Sequence, residues 1–197
     1  MKNEIKAILF DFMGVLLFEK DNYPPDRIVD EIDQIIGGVT NDSSFKNETL
    51  EHYKLNEKEF KEVLSNVVDK YEKFQSLWKL LPDLRKNYKL AIINNGTALT
   101  LQEFDTRHLV KENFDLFVSS AIEGIRKPDS EIFLLTARKL GVKPDECLFM
   151  DDSKLNTEGA EETGMKSIWW EDKQSGFDSF LKFLKNEEFA AKKQNQL

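Results

Sequence analysis

The stretch IKAILFDFMGVLL, Ile5 to Leu17, constrains the possible folds of this chain more than any other. An apolar run of strand length stops at a single carboxylate, Asp11, and a glycine, Gly14, follows within the next turn. In a parallel α/β sheet the carboxyl ends of the strands open into the crevice where ligands bind, so an acid there faces the chemistry. Asp11 is therefore a candidate nucleophile, set against the plainer reading of a polar turn residue.

Whether the sheet exists depends on the second half of the chain, where strand and helix patterns alternate. KLAIINN reads as a strand, GTALTLQEFDTRHL as a short helix and DLFVSSAI as the next strand. Pro128 to Leu140 is predicted as a helix with proline in its first turn and Gly141 behind it. ECLFM is a strand ending in Asp151 and Asp152, Ser153 is placed to cap the next helix, and KSIWW precedes a final helix, GFDSFLKFLKN. The tail EEFAAKKQNQL is polar and expected to fray. Between Phe18 and Ser76, by contrast, only helix signals recur: Ile28, Ile32, Ile35 and Ile36 make one apolar stripe, and Asn56 with Glu59 a capping box for another helix. The expected fold is a Rossmann-like parallel sheet in a three-layer α/β/α arrangement. Residues 1–17 and 77–197 form its core and 18–76 an all-helical insertion.

At 197 residues the chain suits such a core with a modest insertion. A formal net charge of -8 argues against nucleic acid or an anionic membrane surface as partner, and no apolar run approaches membrane-spanning length. The single cysteine, Cys147, sits in an apolar run and excludes an internal disulfide. With MKNEIKAILF meeting an acid too early for a secretory leader, the expected location is the cytoplasm.

Polar residues at the strand ends then read as one set: Asp11 after the first strand, Asn94 and Asn95 after the second, Asp151 and Asp152 after a later one, and Lys127 ahead of a helix. Parallel strands bring these ends to one edge. Carboxylates are hard oxygen ligands suited to Mg²⁺, Lys127 balances charge, and the asparagine amides can hold phosphate oxygens. Asp11 can attack phosphorus, so the set suits phosphoryl transfer to and from a small phosphorylated substrate. His52, His108, Trp169 and Trp170 are read as structural.

Four segments in this order resemble the motifs of the haloacid dehalogenase superfamily. ILFDFMGVLL resembles its first motif, an apolar strand followed by D-x-D-G-[TV], AIINNG its second, RKPD at Arg126 to Asp129 its third, and LFMDDSKLNTEGAEETGM its fourth. The resemblance spans the whole chain and implies a phosphatase-type hydrolase with a helical C1-type cap over residues 18–76. It also implies Mg²⁺ held by Asp11, Asp151, Asp152 and the backbone carbonyl of Met13.

Two positions depart from that pattern. The family's second aspartate, its general acid and base, is Met13 here, and a thioether moves no proton. Asn94 stands where the family has Ser or Thr, a milder change because an amide still donates to phosphate. The expected function is a Mg²⁺-dependent phosphatase acting through an Asp11 aspartyl-phosphate, slowed by Met13. The alternatives are a catalytically silent binding protein and a 2-haloacid dehalogenase. Against the latter, Asp151 and Asp152 would crowd negative charge beside Asp11 unless a cation is bound.

Overall fold

A computed structural model describes residues 4–194, with backbone alone for 188–194. Strand β1 (Ala7–Phe10) leads to a short strand β2 (Leu17–Glu19), helices α1 (Arg27–Ile36), α2 (Asp42–Tyr53) and α3 (Glu57–Asp69), and strand β3 (Tyr71–Lys73). Two single-turn helices, α4 (Gln75–Trp78) and α5 (Leu81–Leu84), precede β4 (Lys89–Asn94), α6 (Leu101–His108), α7 (Val110–Asn113), β5 (Leu116–Ser119) and α8 (Ser120–Glu123). The chain closes with α9 (Ser130–Leu140), β6 (Cys147–Asp151), α10 (Lys154–Glu162), β7 (Lys166–Trp169) and α11 (Lys173–Gln194).

Five strands form one parallel sheet in the order β5-β4-β1-β6-β7, with the Asp11 strand at its centre. All four β1 residues are fully buried, which explains their unbroken apolar run. Successive side chains of a strand point to opposite faces, and the core divides accordingly. Ile8 and Phe10 pack with Leu77, Trp78, Phe114 and Phe180 on one side. Ala7 and Leu9 pack with Ile132, Phe133 and Ala160 of α9 and α10 on the other. The expected α/β/α layering is thus present, with parallel β1–β4 and β1–β6 ladders.

Helices α1 to α3 build a separate cluster around Val29, Ile32, Phe45, Phe60 and Leu64. The Asn56–Glu59 capping box is formed, and Asp26 caps α1 immediately after its two prolines. The segment 18–76 is nonetheless not all helical, because β2 and β3 pair antiparallel across its two ends, Phe18 opposite Glu72. Three-residue strands are too short to display an alternation. Other expected boundaries also move. Pro128 lies ahead of α9, which Asp129 caps through the Glu131 N–H, and Ser153 stands before α10 without making a side-chain cap bond. The tail continues α11 to Gln194; residues 1–3 and 195–197, which belonged to the leader and tail readings, lie outside the described residues. Among the described residues no helix is long and apolar enough to cross a membrane.

His108 is structural in a specific way. It is 8% exposed, stacks on Phe104 beside Trp78, and its Nε2 has no hydrogen-bond partner. Burial, followed by repulsion from Lys73, Arg107 and Lys20, holds its pKa down at about 4. The native state therefore refuses a proton that the unfolded chain accepts below its ordinary value of 6.5, so stability falls as pH drops from 6.5 toward 4. Urea unfolding of His108→Gln is expected to lose less stability than the parent between pH 7 and pH 5, by a difference on the order of 2 kcal/mol. Parallel losses in the two proteins would show that His108 does not titrate on unfolding.

Candidate active site

Adjacent strands β4, β1 and β6 bring Asn94, Asp11 and Asp151 to one carboxyl edge. Asp11 extends the ladder by donating its N–H to the Met150 carbonyl at 2.8 Å. Phe12 then buries its ring edge-on against Phe104 and Phe117, while Asp11 and Met13, on either side of it, line a cavity of about 230 Å³. The period of two that buries Phe12 thus presents its neighbours to the crevice.

The centre is organised around Lys127, which is 1% exposed. Its Nζ lies 2.6 Å from Asp11 Oδ1 and 2.7 Å from Asp151 Oδ2. Asp151 is completely buried, and its Oδ1 accepts from the Ser153 N–H at 2.8 Å and from Asn156 Nδ2 at 2.9 Å. Asp11 Oδ1 also accepts the Phe12 N–H at 2.7 Å, which leaves Oδ2 as the oxygen open to the cavity.

Asn95 does something the sequence did not suggest. It pairs with the backbone of Lys127, accepting the Lys127 N–H at its Oδ1 (2.8 Å) and donating Nδ2 to the Lys127 carbonyl (2.9 Å). Its amide thereby braces the lysine. Behind the lysine, Gly159 allows α10 to approach Pro128, where a Cβ would sit 2.5 Å from the carbonyl oxygen. Asn94 and Asn95 both line the cavity.

Asp152 is the exposed acid of the pair. The Trp169 indole donates to its carbonyl at 2.9 Å, and its carboxylate rests on Gly14, whose φ of +81° and missing Cβ make that approach possible. One oxygen each from Asp11, Asp151 and Asp152 lies within 4.8 Å of the others. Three carboxylates against one ammonium leave the cluster electron-rich. Burial first, and Asp151 next, push the Asp11 carboxyl up to about 8, and the same two causes raise Asp152. Burial pulls the Lys127 ammonium toward its neutral form, but Asp11 and Asp151 outweigh it and its pKa is raised. A hard divalent cation fits this donor set, because its charge would offset the mutual repulsion of the three carboxylates.

The far wall of the cavity comes from the inserted segment and was missed in the sequence. Tyr71 donates its hydroxyl to Asp33 (2.9 Å to Oδ2), and both residues line the cavity together with Ile36. Asp33 also accepts from Lys70 Nζ at 2.9 Å, and Lys70 in turn reaches Asp30. The available signal was that Asp30 and Asp33, three residues apart on α1, lie off its isoleucine stripe and opposite a lysine that ends α3.

A parallel sheet with acids and a lysine gathered at its carboxyl edge defines an α/β fold with a polar site at its strand ends. The chain belongs to the haloacid dehalogenase-like hydrolase family, whose model matches residues 16–170. The glyceraldehyde 3-phosphate phosphatase of Pyrococcus furiosus is 30% identical over 88 residues, 44% of this chain and 36% of the relative. A haloacid dehalogenase family enzyme of Bacteroides thetaiotaomicron, solved with magnesium and inorganic phosphate, superposes with a TM-score of 0.64 at 20% identity, covering 84% of this chain and 93% of that one. A 2-haloacid dehalogenase of Pseudomonas syringae superposes with a TM-score of 0.61 at 20% identity, covering 84% and 86%. These two likenesses are of fold. The chain spans less than half the length of the curated relatives compared with it, from 8% to 43%.

Because Lys127 is, among the described residues, the cation paired with both acids, Lys127→Met is expected to lower the unfolding free energy at pH 7 by about 3 kcal/mol, the usual cost of orphaning a buried charge. The deficit shrinks toward pH 5, where the carboxylates of the variant can neutralise themselves by protonation. Denaturant titrations at the two pH values measure this. An equal deficit at both would assign the loss to packing.

Proposed function

We propose that this protein is a Mg²⁺-dependent phosphatase of small phosphorylated substrates that works through an aspartyl-phosphate on Asp11, and that residues 18–76 serve as its cap. The observation that carries the reading is the unspent Oδ2 of Asp11, in a cavity shared with Asn94 and beside an acid cluster matched to a hard cation. Phosphatases among the curated relatives support it, as does the Bacteroides neighbour solved with magnesium and phosphate. The exposed Asp152 counts against dehalogenation, because an uncompensated carboxylate would crowd Asp11.

Asp11, Asp151, Asp152 and the Met13 carbonyl would hold the ion. When bound, Mg²⁺ neutralises phosphate oxygens and keeps Asp11 ionised. Asp11 Oδ2 attacks phosphorus, the bond from phosphorus to the ester oxygen breaks, and the alcohol leaves with a proton taken from water. Water then adds to the phosphorus of the aspartyl-phosphate, releasing inorganic phosphate and restoring the Asp11 carboxylate. Lys127 holds Asp11 through Oδ1, and Asn95 holds Lys127. Asn94 donates to a phosphate oxygen. Met13 supplies neither the proton for the leaving alcohol nor the base for the water, so both steps are slow and esters with good leaving groups react best.

Phosphate release from p-nitrophenyl phosphate is expected to require Mg²⁺ and to vanish in Asp11→Asn. Met13→Asp is expected to raise kcat by roughly 10²-fold, the lower range for general acid–base help. Release that persists without divalent ions or in Asp11→Asn would refute the mechanism. Chloride release from 2-chloropropionate would favour the dehalogenase instead.

A further inference from the structure

The wall opposite Asp11 bears on which alcohol the cavity accepts. Tyr71 spends its only proton on Asp33, and Asp33 is fixed in turn by Lys70, which is 4% exposed. The Tyr71 oxygen keeps its lone pairs and so faces the cavity as an acceptor. The Asp33 carboxylate, with two donors already on it, also offers acceptor capacity only.

Charge narrows the ligand further. Among the described residues lining the cavity, Lys127 is the sole cationic side chain, and it is committed to Asp11 and Asp151. A second phosphate or a carboxylate on the substrate would enter a cavity walled by Asp33 and Asp11 with no cation to receive it, a costly burial. Ile36, Val67 and Phe104 close the sides with apolar surface suited to carbon rather than charge.

Resting on the phosphatase reading, we propose that the cavity selects monophosphate esters of uncharged, hydroxyl-bearing alcohols. Tyr71, oriented by Asp33, accepts a hydrogen bond from a substrate hydroxyl and determines that preference. Lys70 is a positioning residue, acting through Asp33. Bisphosphates and phosphorylated acids are disfavoured by their added negative charge.

The test measures phosphate release with Mg²⁺ from glycerol phosphate and hexose monophosphates, from 3-phosphoglycerate and a hexose bisphosphate, and from phenyl phosphate as an ester without a hydroxyl. The neutral polyol and sugar monophosphates are expected to exceed the charged esters in kcat/KM by at least about tenfold. Tyr71→Phe is expected to raise KM for the best sugar or polyol ester about tenfold more than it raises KM for phenyl phosphate, with kcat changing less, in line with one lost hydrogen bond. Equal losses on both esters would make Tyr71 merely structural and overturn the proposal. A preference for the bisphosphate or the phosphorylated acid would overturn it while leaving the phosphatase reading intact. No release from any ester would overturn both.

Discussion

The ammonium of Lys127, sealed between two carboxylates, is the interaction on which the rest of this structure depends. A buried ion is tolerated only where its partners are already in place. Those partners come from strands that are adjacent in space and 140 residues apart in sequence, Asp11 after β1 and Asp151 ending β6. The lysine arrives from a loop that an Asn95 amide pins to the end of β4. Three neighbouring strands and one loop must therefore be correctly registered before the charge can be buried. The central sheet, apolar on both faces, supplies that registration.

The same arrangement leaves the centre electrostatically incomplete. Asp151 is held by three donors and Asp11 by two on a single oxygen, while Asp152 is the more exposed acid, its carbonyl held by Trp169. The structure invests rigidity where charge is balanced and leaves open the two carboxylate positions where it is not. An Asp11 carboxyl pushed up to about 8 expresses that imbalance in the absence of an ion. Gly14 belongs to this design: with no Cβ, it lets the Asp152 carboxylate come down onto the turn that follows Asp11.

Much of this was legible in the sequence because it rests on local patterns. A buried parallel strand is an unbroken apolar run, and a polar residue that ends such a run lies at the sheet edge, so Asp11, Asn94, Lys127, Asp151 and Asp152 could be grouped before any coordinates. What stayed hidden was of two kinds. The β2–β3 ribbon is built from LFE and YEK, too short for periodicity to register. The brace from Asn95 and the Asp33–Tyr71 pair depend on contacts across 32 and 38 residues, and their side chains belong to types that serve equally well in turns or on a solvated helix face. Residue type at a strand end announces chemistry, whereas pairing geometry decides which backbone a neighbouring amide holds.

Position 13 separates two tasks that a phosphoryl site normally performs together. Capturing a phosphate needs fixed charge and amide donors, which the proposed function assigns to Asp11, Asn94, Lys127 and Asp152. Releasing the alcohol and then the phosphate needs a group that exchanges protons. Around this cavity the Tyr71 proton is held by Asp33, Asp33 is held by Lys70, and the Lys127 protons are held by Asp11 and Asp151. Each of these groups is committed to holding its neighbour in place, so none can take over the role that a thioether cannot fill. Under the proposed mechanism the chain keeps the part of the machinery that forms an aspartyl-phosphate and lacks the part that discharges it, so the lifetime of that intermediate is set by unassisted water.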